Sequence, residues 1–204
     1  MISIEKLVVF GGTFNPPHIG HLLLAESALY ELNANKIIFM PAGNPPHKDC
    51  ENVIDKNYRY EMVKLLTEDN DSFIVSDIEI KSAKKSYTAD TLLKLKEMYH
   101  GTDIYFIVGL DSFYEIEKWY RPDLIFERCI IAVSLRGGYD LCNFEQKEEY
   151  FKTKYNARIV KITMPIVEIS SSDIRDRLSK GKSVRYMLTE KVLKYIKEND
   201  LYKE

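Results

Sequence analysis

Apolar runs of strand length alternate along this chain with stretches of helical spacing. Strand-like runs fall at Leu7–Phe10, Lys36–Met40, Phe73–Ile80, Ile104–Val108, Cys129–Ser134 and Arg158–Ile162. Helical patterns occupy Leu22–Leu32, Tyr58–Leu66, Thr88–Tyr99 and Glu145–Tyr155. Short buried strands separated by helices predict an α/β fold, a doubly wound parallel sheet covered on both faces. Ligands of such sheets sit at the carboxyl ends of the strands. From Ser170 onward the pattern predicts two short helices, the second carrying Val192, Leu193 and Ile196 on one face. The chain therefore reads as one domain over 1–204, with an α/β core at 1–169 and a small helical cap at 170–204.

Composition narrows the partners. A length of 204 residues with 45% hydrophobic content supports one good-sized core. The 29 basic and 31 acidic residues leave a net charge of −2, so no global field favours nucleic acid, and an anion must be held locally. Cys50, Cys129 and Cys142 are odd in number and form no CxxC pair, which suggests reduced thiols in a cytoplasmic protein. The chain enters its first strand directly, without a signal peptide pattern, and no apolar run approaches the ~20 residues that span a bilayer.

The densest chemistry lies in Gly11–His21, GGTFNPPHIGH, between the first strand and the first helix. Gly11 and Gly12 lack a Cβ and let phosphates approach the backbone, while amides at the helix start favour negative charge. Thr13 adds a hydroxyl beside them. His18 and His21 are three residues apart, so with a helix starting near Ile19 they share its first turn and aim at one anion. Gly20 keeps that turn open. The segment is neither a Walker loop nor a GxGxxG fingerprint. A metal site is disfavoured, since the nearest other histidine is His47 and no cysteine stands at ligand spacing.

Later loops offer further polar groups at strand ends. Pro41–Lys48 holds three prolines with His47 and Lys48, and reads equally as a stiff surface turn or as a phosphate-holding loop. Ser86, Tyr87 and Thr88 supply a helix cap and an aromatic face. Gly109 and Asp111 suit a ribose hydroxyl or form a turn glycine with an acidic cap. Trp119 stacks on a planar ring or packs the core, with packing the simpler reading. Arg136, at the end of the fifth strand, reads as a phosphate clamp or as a solvated side chain. Ile169–Arg175, ISSSDIR, combines serines at a helix start with a permanent charge at Arg175.

Taken together, GGTFNPPHIGH, PAGNPPHK, SYTADTL, GLDSF with Trp119, and ISSSDIRDRL followed by VRYMLTEKVLKYI resemble the bacterial nicotinate-nucleotide adenylyltransferases of the nucleotidylyltransferase superfamily. The first and last motifs indicate the superfamily, and the middle segments point to the nicotinate branch. The resemblance implies a Rossmann-like fold and adenylyl transfer from ATP to nicotinate mononucleotide, giving nicotinate adenine dinucleotide and pyrophosphate. It implies that His18 and His21 are catalytic and that ATP is bound by Gly11, Gly12, Thr13, Phe14, His18, His21, Gly109, Asp111, Ile169, Ser171, Ser172 and Arg175. The acceptor would meet His47, Lys48, Tyr87, Thr88, Asp111, Trp119 and Arg136. Magnesium would travel with ATP and no protein metal site is expected. A homodimer is compatible with the family, although no apolar stripe marks an interface. The family often carries Asp where this chain has Asn15, a change that keeps the turn-forming carbonyl, loses a charge and is expected to matter little for catalysis. Two other readings stand beside this one: the same chemistry on nicotinamide mononucleotide or phosphopantetheine, and a nucleotide-binding regulator without turnover.

Overall fold

The computed structural model describes residues 5–45, 53–135, 141–165 and 167–203. Six strands form one sheet: β1 (Lys6–Gly12), β2 (Lys36–Pro41), β3 (Phe73–Val75), β4 (Asp103–Gly109), β5 (Ile130–Leu135) and β6 (Ile159–Thr163). Their spatial order is β3-β2-β1-β4-β5-β6, and every neighbouring pair is parallel. This is the doubly wound Rossmann-like order. Between β1 and β4 the winding reverses, and that switch point opens the crevice in which such sheets bind ligands.

Successive side chains of β1 point to opposite faces of the sheet and feed two separate cores. Leu7 and Val9 face a cluster with helices α3 (Thr88–Met98), α5 (Pro122–Arg128) and α6 (Leu141–Tyr155). Val8 and Phe10 face the opposite cluster, under α1 (Ile19–Leu32). Burial on both sides explains why these strands read as continuous apolar runs. A third cluster joins Met62 and Leu66 of α2 (Lys56–Thr67) to Ile174 of α7 (Ser171–Ser179) and to Val192 and Ile196 of α8 (Glu190–Glu198). The two C-terminal helices thus pack on α2, with the strand core beyond it.

One expectation needs correction. Strand β3 ends at Val75 rather than Ile80. The last bond to β2 runs from the Ser76 N–H to the Phe39 carbonyl, after which Lys81 N–H bonds back to Asp77 and turns the chain. Ser76 and Asp77 favour that local bonding over the ladder. The segment after β4, for which the pattern gives no element, carries a helix, α4 (Leu110–Glu115), a 3₁₀ turn at Ile116–Lys118 and then α5. These elements are too short for a period to stand out, and α5 starts where Pro122 follows Arg121 in the left-handed region at φ 52°.

Candidate active site

The β1–α1 loop sits at the switch point and is held from three directions. Arg59 of α2 is 1% exposed, and its guanidinium donates to the carbonyls of Ile54 (3.1 Å), Thr13 (2.8 Å) and Gly43 (3.1 Å). Burial lowers its pKa, partly offset by Tyr202, Asp55 and Glu79, yet an arginine keeps its charge under such pressure. Arg175 of α7 donates to the Asn15 carbonyl at 2.8 Å, and the Ser171 hydroxyl to the Pro16 carbonyl at 2.8 Å. The Tyr202 hydroxyl, from the C-terminal segment, donates to Asn15 Oδ1 at 2.8 Å. Asn15 is only 4% exposed, so its side-chain carbonyl serves as an internal acceptor rather than as a surface turn former.

His18 caps α1 and His21 stands in its first turn. Their rings stack with centroids 3.7 Å apart and planes at 30°. Nδ1 of His21 accepts the His18 backbone N–H at 3.0 Å, which leaves the proton of the neutral ring on Nε2 as a donor. Phe14, at φ 50°, packs its ring 5.0 Å from His21 and fixes the other side. A Cβ on Gly20 would meet the His18 ring at 3.1 Å, which is the physical content of the open turn expected there. The helix-start amides are less available than expected, since Ile19 N–H donates to Met187 and His21 N–H to the His18 carbonyl.

Beside this loop a cleft of about 610 Å³ opens over the ends of β1, β2 and β4. Gly11, Gly12 and Thr13 form part of its floor, with Met40 and Phe106. One wall comes from Tyr87, Thr88, Thr91 and Leu92 of α3 and its entry, the other from Ser112, Glu115, Lys118, Trp119 and Tyr120. Trp119 packs on the core, meeting Phe106 edge-on at 6.4 Å, and also lines the cleft. The Tyr87 and Tyr120 rings touch, with centroids 4.5 Å apart, and so join the two walls. Thr88 is the first helical residue rather than the cap, which is Tyr87, and Gly109 rather than Asp111 caps α4.

Glu79 was not legible as a site residue. It lines the cleft and accepts the Thr91 hydroxyl at 2.7 Å. Burial pushes its carboxyl above the usual carboxylate range, against hydrogen bonds from Thr91, Ser86 and the Gly43 backbone. Gly43 is compulsory here, because a Cβ would sit 2.1 Å from the Glu79 carbonyl oxygen. Arg59 and Tyr202 were also missed, since neither stands near a strand end in sequence. Among the expected residues, Gly109, the cap of α4, and Asp111, in its first turn, are exposed and outside the cleft lining. The half-buried Ile169 packs with the third cluster, and Ser172 meets Arg175 at 3.4 Å. His47, Lys48 and Arg136 lie outside the described residues. Among the described residues no three His, Cys, Asp or Glu side chains gather into a metal-holding group, and no helix is long and apolar enough to cross a membrane.

A parallel sheet with a glycine-rich loop, a stacked histidine pair and a docked arginine at its switch point is the frame of a cytidylyltransferase-like protein, and the family model of that description matches residues 9–177. Full-length relatives narrow the branch. A probable nicotinate-nucleotide adenylyltransferase of Caldicellulosiruptor bescii is 45% identical over 198 residues, covering 97% of this chain and 99% of the relative. One from Clostridium botulinum strain Eklund 17B is 42% identical over 201 residues, covering 98% and 100%. The chain belongs to the nicotinate-nucleotide adenylyltransferases of the cytidylyltransferase-like family. Its fold is similar to that of the Plasmodium falciparum nicotinic acid mononucleotide adenylyltransferase complexed with APC, with a TM-score of 0.77 at 20% identity over 97% of both chains.

Proposed function

We propose that this protein transfers the adenylyl group of ATP to the 5′-phosphate of nicotinate mononucleotide. A phosphate oxygen of the acceptor attacks the α-phosphorus, the bond to the bridging oxygen breaks, and pyrophosphate leaves with the electron pair. The observation that carries this reading is the juxtaposition of the His18–His21 pair with an aromatic-walled cleft that shares the Gly11–Thr13 floor. One subsite suits phosphates and the other suits a flat ring on a sugar.

The attacking phosphate is already anionic, so no general base is needed, and the work lies in alignment and charge stabilisation. His21, with its Nε2 proton, and His18 would donate to the phosphate oxygens as charge moves onto them. Thr13 and the Gly11–Gly12 backbone would align the chain of phosphates. Ser172 and Arg175 would serve the triphosphate, although the Ser171 hydroxyl and part of the Arg175 fork already support the loop. Lys48, His47 and Arg136 would hold the acceptor phosphate, and Tyr87, Thr88 and Trp119 its ribose and ring. Magnesium would enter as the ATP complex and neutralise phosphate charge; the hydroxyls and imidazoles of the loop suit phosphate oxygens rather than a hard cation.

The test is pyrophosphate release by the purified protein with ATP and magnesium, comparing nicotinate mononucleotide, nicotinamide mononucleotide and phosphopantetheine. A preference for the nicotinate acceptor is expected. Preference for another acceptor overturns the specificity, and ATP binding without release from any acceptor returns the regulator reading.

A further inference from the structure

We propose that Glu117 is a positioning residue for the aromatic wall of the cleft, holding the 3₁₀ turn that bears Lys118, Trp119 and Tyr120 against helix α6. Lys118, Trp119 and Tyr120 line the cleft, whereas Glu117, in the same turn, reaches the other way. Its Oε1 accepts the hydroxyls of Tyr150 (2.7 Å) and Tyr155 (3.1 Å) and the Lys154 ammonium, and its Oε2 accepts Lys147 at 3.3 Å. Positions 147, 150 and 154 share one face of α6 by the three-and-four spacing of a helix, and Tyr155 borders it from the next position.

An isolated surface ion pair would do little here. This carboxylate differs because four donors converge on it, its side chain is 26% exposed, and the lysines are themselves seated. Lys147 lies 4.6 Å from the centre of the Phe151 ring and Lys154 5.1 Å from that of Tyr155. Phe151 in turn meets Phe113 of α4 at 5.3 Å, inside the core. The turn passes this anchoring to the cleft directly, because the Trp119 N–H closes it onto the Ile116 carbonyl at 3.1 Å. Glu117 thereby sets the seat of the Trp119 ring without reaching the substrate.

The kinetic part of the test rests on the nicotinate adenylyl reading, and the spectroscopic part does not. Trp119 is the sole tryptophan of the chain, so its emission and its quenching by acrylamide report the wall in the ligand-free protein. Glu117→Gln, checked by circular dichroism, should shift the emission and raise quenching. It should also raise KM for nicotinate mononucleotide about 10-fold with kcat and the KM for ATP within about threefold, the pattern of lost ground-state binding after a small displacement. Glu117→Asp should recover part of both effects. Should Glu117→Gln fail to fold, Lys154→Met and Tyr155→Phe, each removing one donor, are read in the same way. Unchanged emission in a folded variant, or a fall in kcat with the nicotinate KM untouched, overturns the proposal. If the parent protein turns over no acceptor, the adenylyl reading fails while emission and quenching still decide the role of Glu117.

Discussion

At the scale of single residues, the proposed chemistry rests on donors whose direction is set by their neighbours. His21 is oriented by the His18 amide, His18 by the stacked His21 ring and the missing side chain at Gly20. Replacing either histidine by Ala should lower kcat by about 10²- to 10³-fold, the cost of one transition-state donor. Steady-state pyrophosphate release measures this, and rates within threefold of the parent would remove both from the mechanism. Arg59 makes a different argument. Three loop carbonyls depend on one buried guanidinium, so Arg59→Met should destabilise the fold by about 3 kcal/mol or more in urea titration, since each carbonyl loses its donor. Arg59→Lys should not rescue it, because an ammonium cannot reproduce the fork.

At the scale of elements, helix starts and chain ends meet at one loop. The N-terminus of α1 is fastened by α2 through Arg59, by α7 through Arg175 and Ser171, and by the C-terminal segment through Tyr202. Burial raises the Tyr202 phenol, with Arg175 and Arg59 opposing, so the hydroxyl remains a donor through the working range. Tyr202→Phe should cost about 1–2 kcal/mol in thermal melts and lower kcat by about 3- to 10-fold through loosening of the loop. Deletion of residues 202–204 should do the same. A melt and a rate that match the parent would show the C-terminal strut to be dispensable. This contact also gives Asn15 its meaning, as a buried amide carbonyl that accepts from Tyr202.

At the scale of the molecule, the reversal of winding between β1 and β4 puts the cleft where strand ends diverge, and the segment after β4 closes one side of it. That segment is tied to α6 by Glu117, whose carboxyl is held down to about 2, chiefly by the Lys154 hydrogen bond, then by Tyr150, Tyr155 and Lys147, against burial. The folded pKa lies below the ordinary Glu value of about 4.3. Its stabilisation is therefore complete above that ordinary value and is lost as pH falls toward about 2. The gap in melting temperature between the parent and Glu117→Gln should be widest near neutrality and close between pH 4 and 2. A gap independent of pH would mean that shape rather than charge holds the turn.

Much of this was legible before any coordinates. Local rules suffice for apolar runs bounded by glycine and proline, so β1, β2, β4 and β5 with helices α1, α2, α3 and α6 followed from periodicity, and GGTFNPPHIGH stood out because its residue types together suit an anion. The third strand was overextended, since Ile78 and Ile80 look like strand residues until Ser76 and Asp77 take the backbone into a turn. The elements from Leu110 to Arg128 are shorter than a recognisable period. Contacts across long separations were hidden altogether: Arg59 with Thr13, Tyr202 with Asn15, Glu79 with Thr91 and Gly43, and Glu117 with α6. The sequence by itself determined the sheet class, the place of the glycine- and histidine-rich loop and the family to which they belong. Only the tertiary structure decided which charges are buried, which hydroxyls are already committed and what holds the cleft walls, because those depend on partners brought together by packing rather than by spacing along the chain.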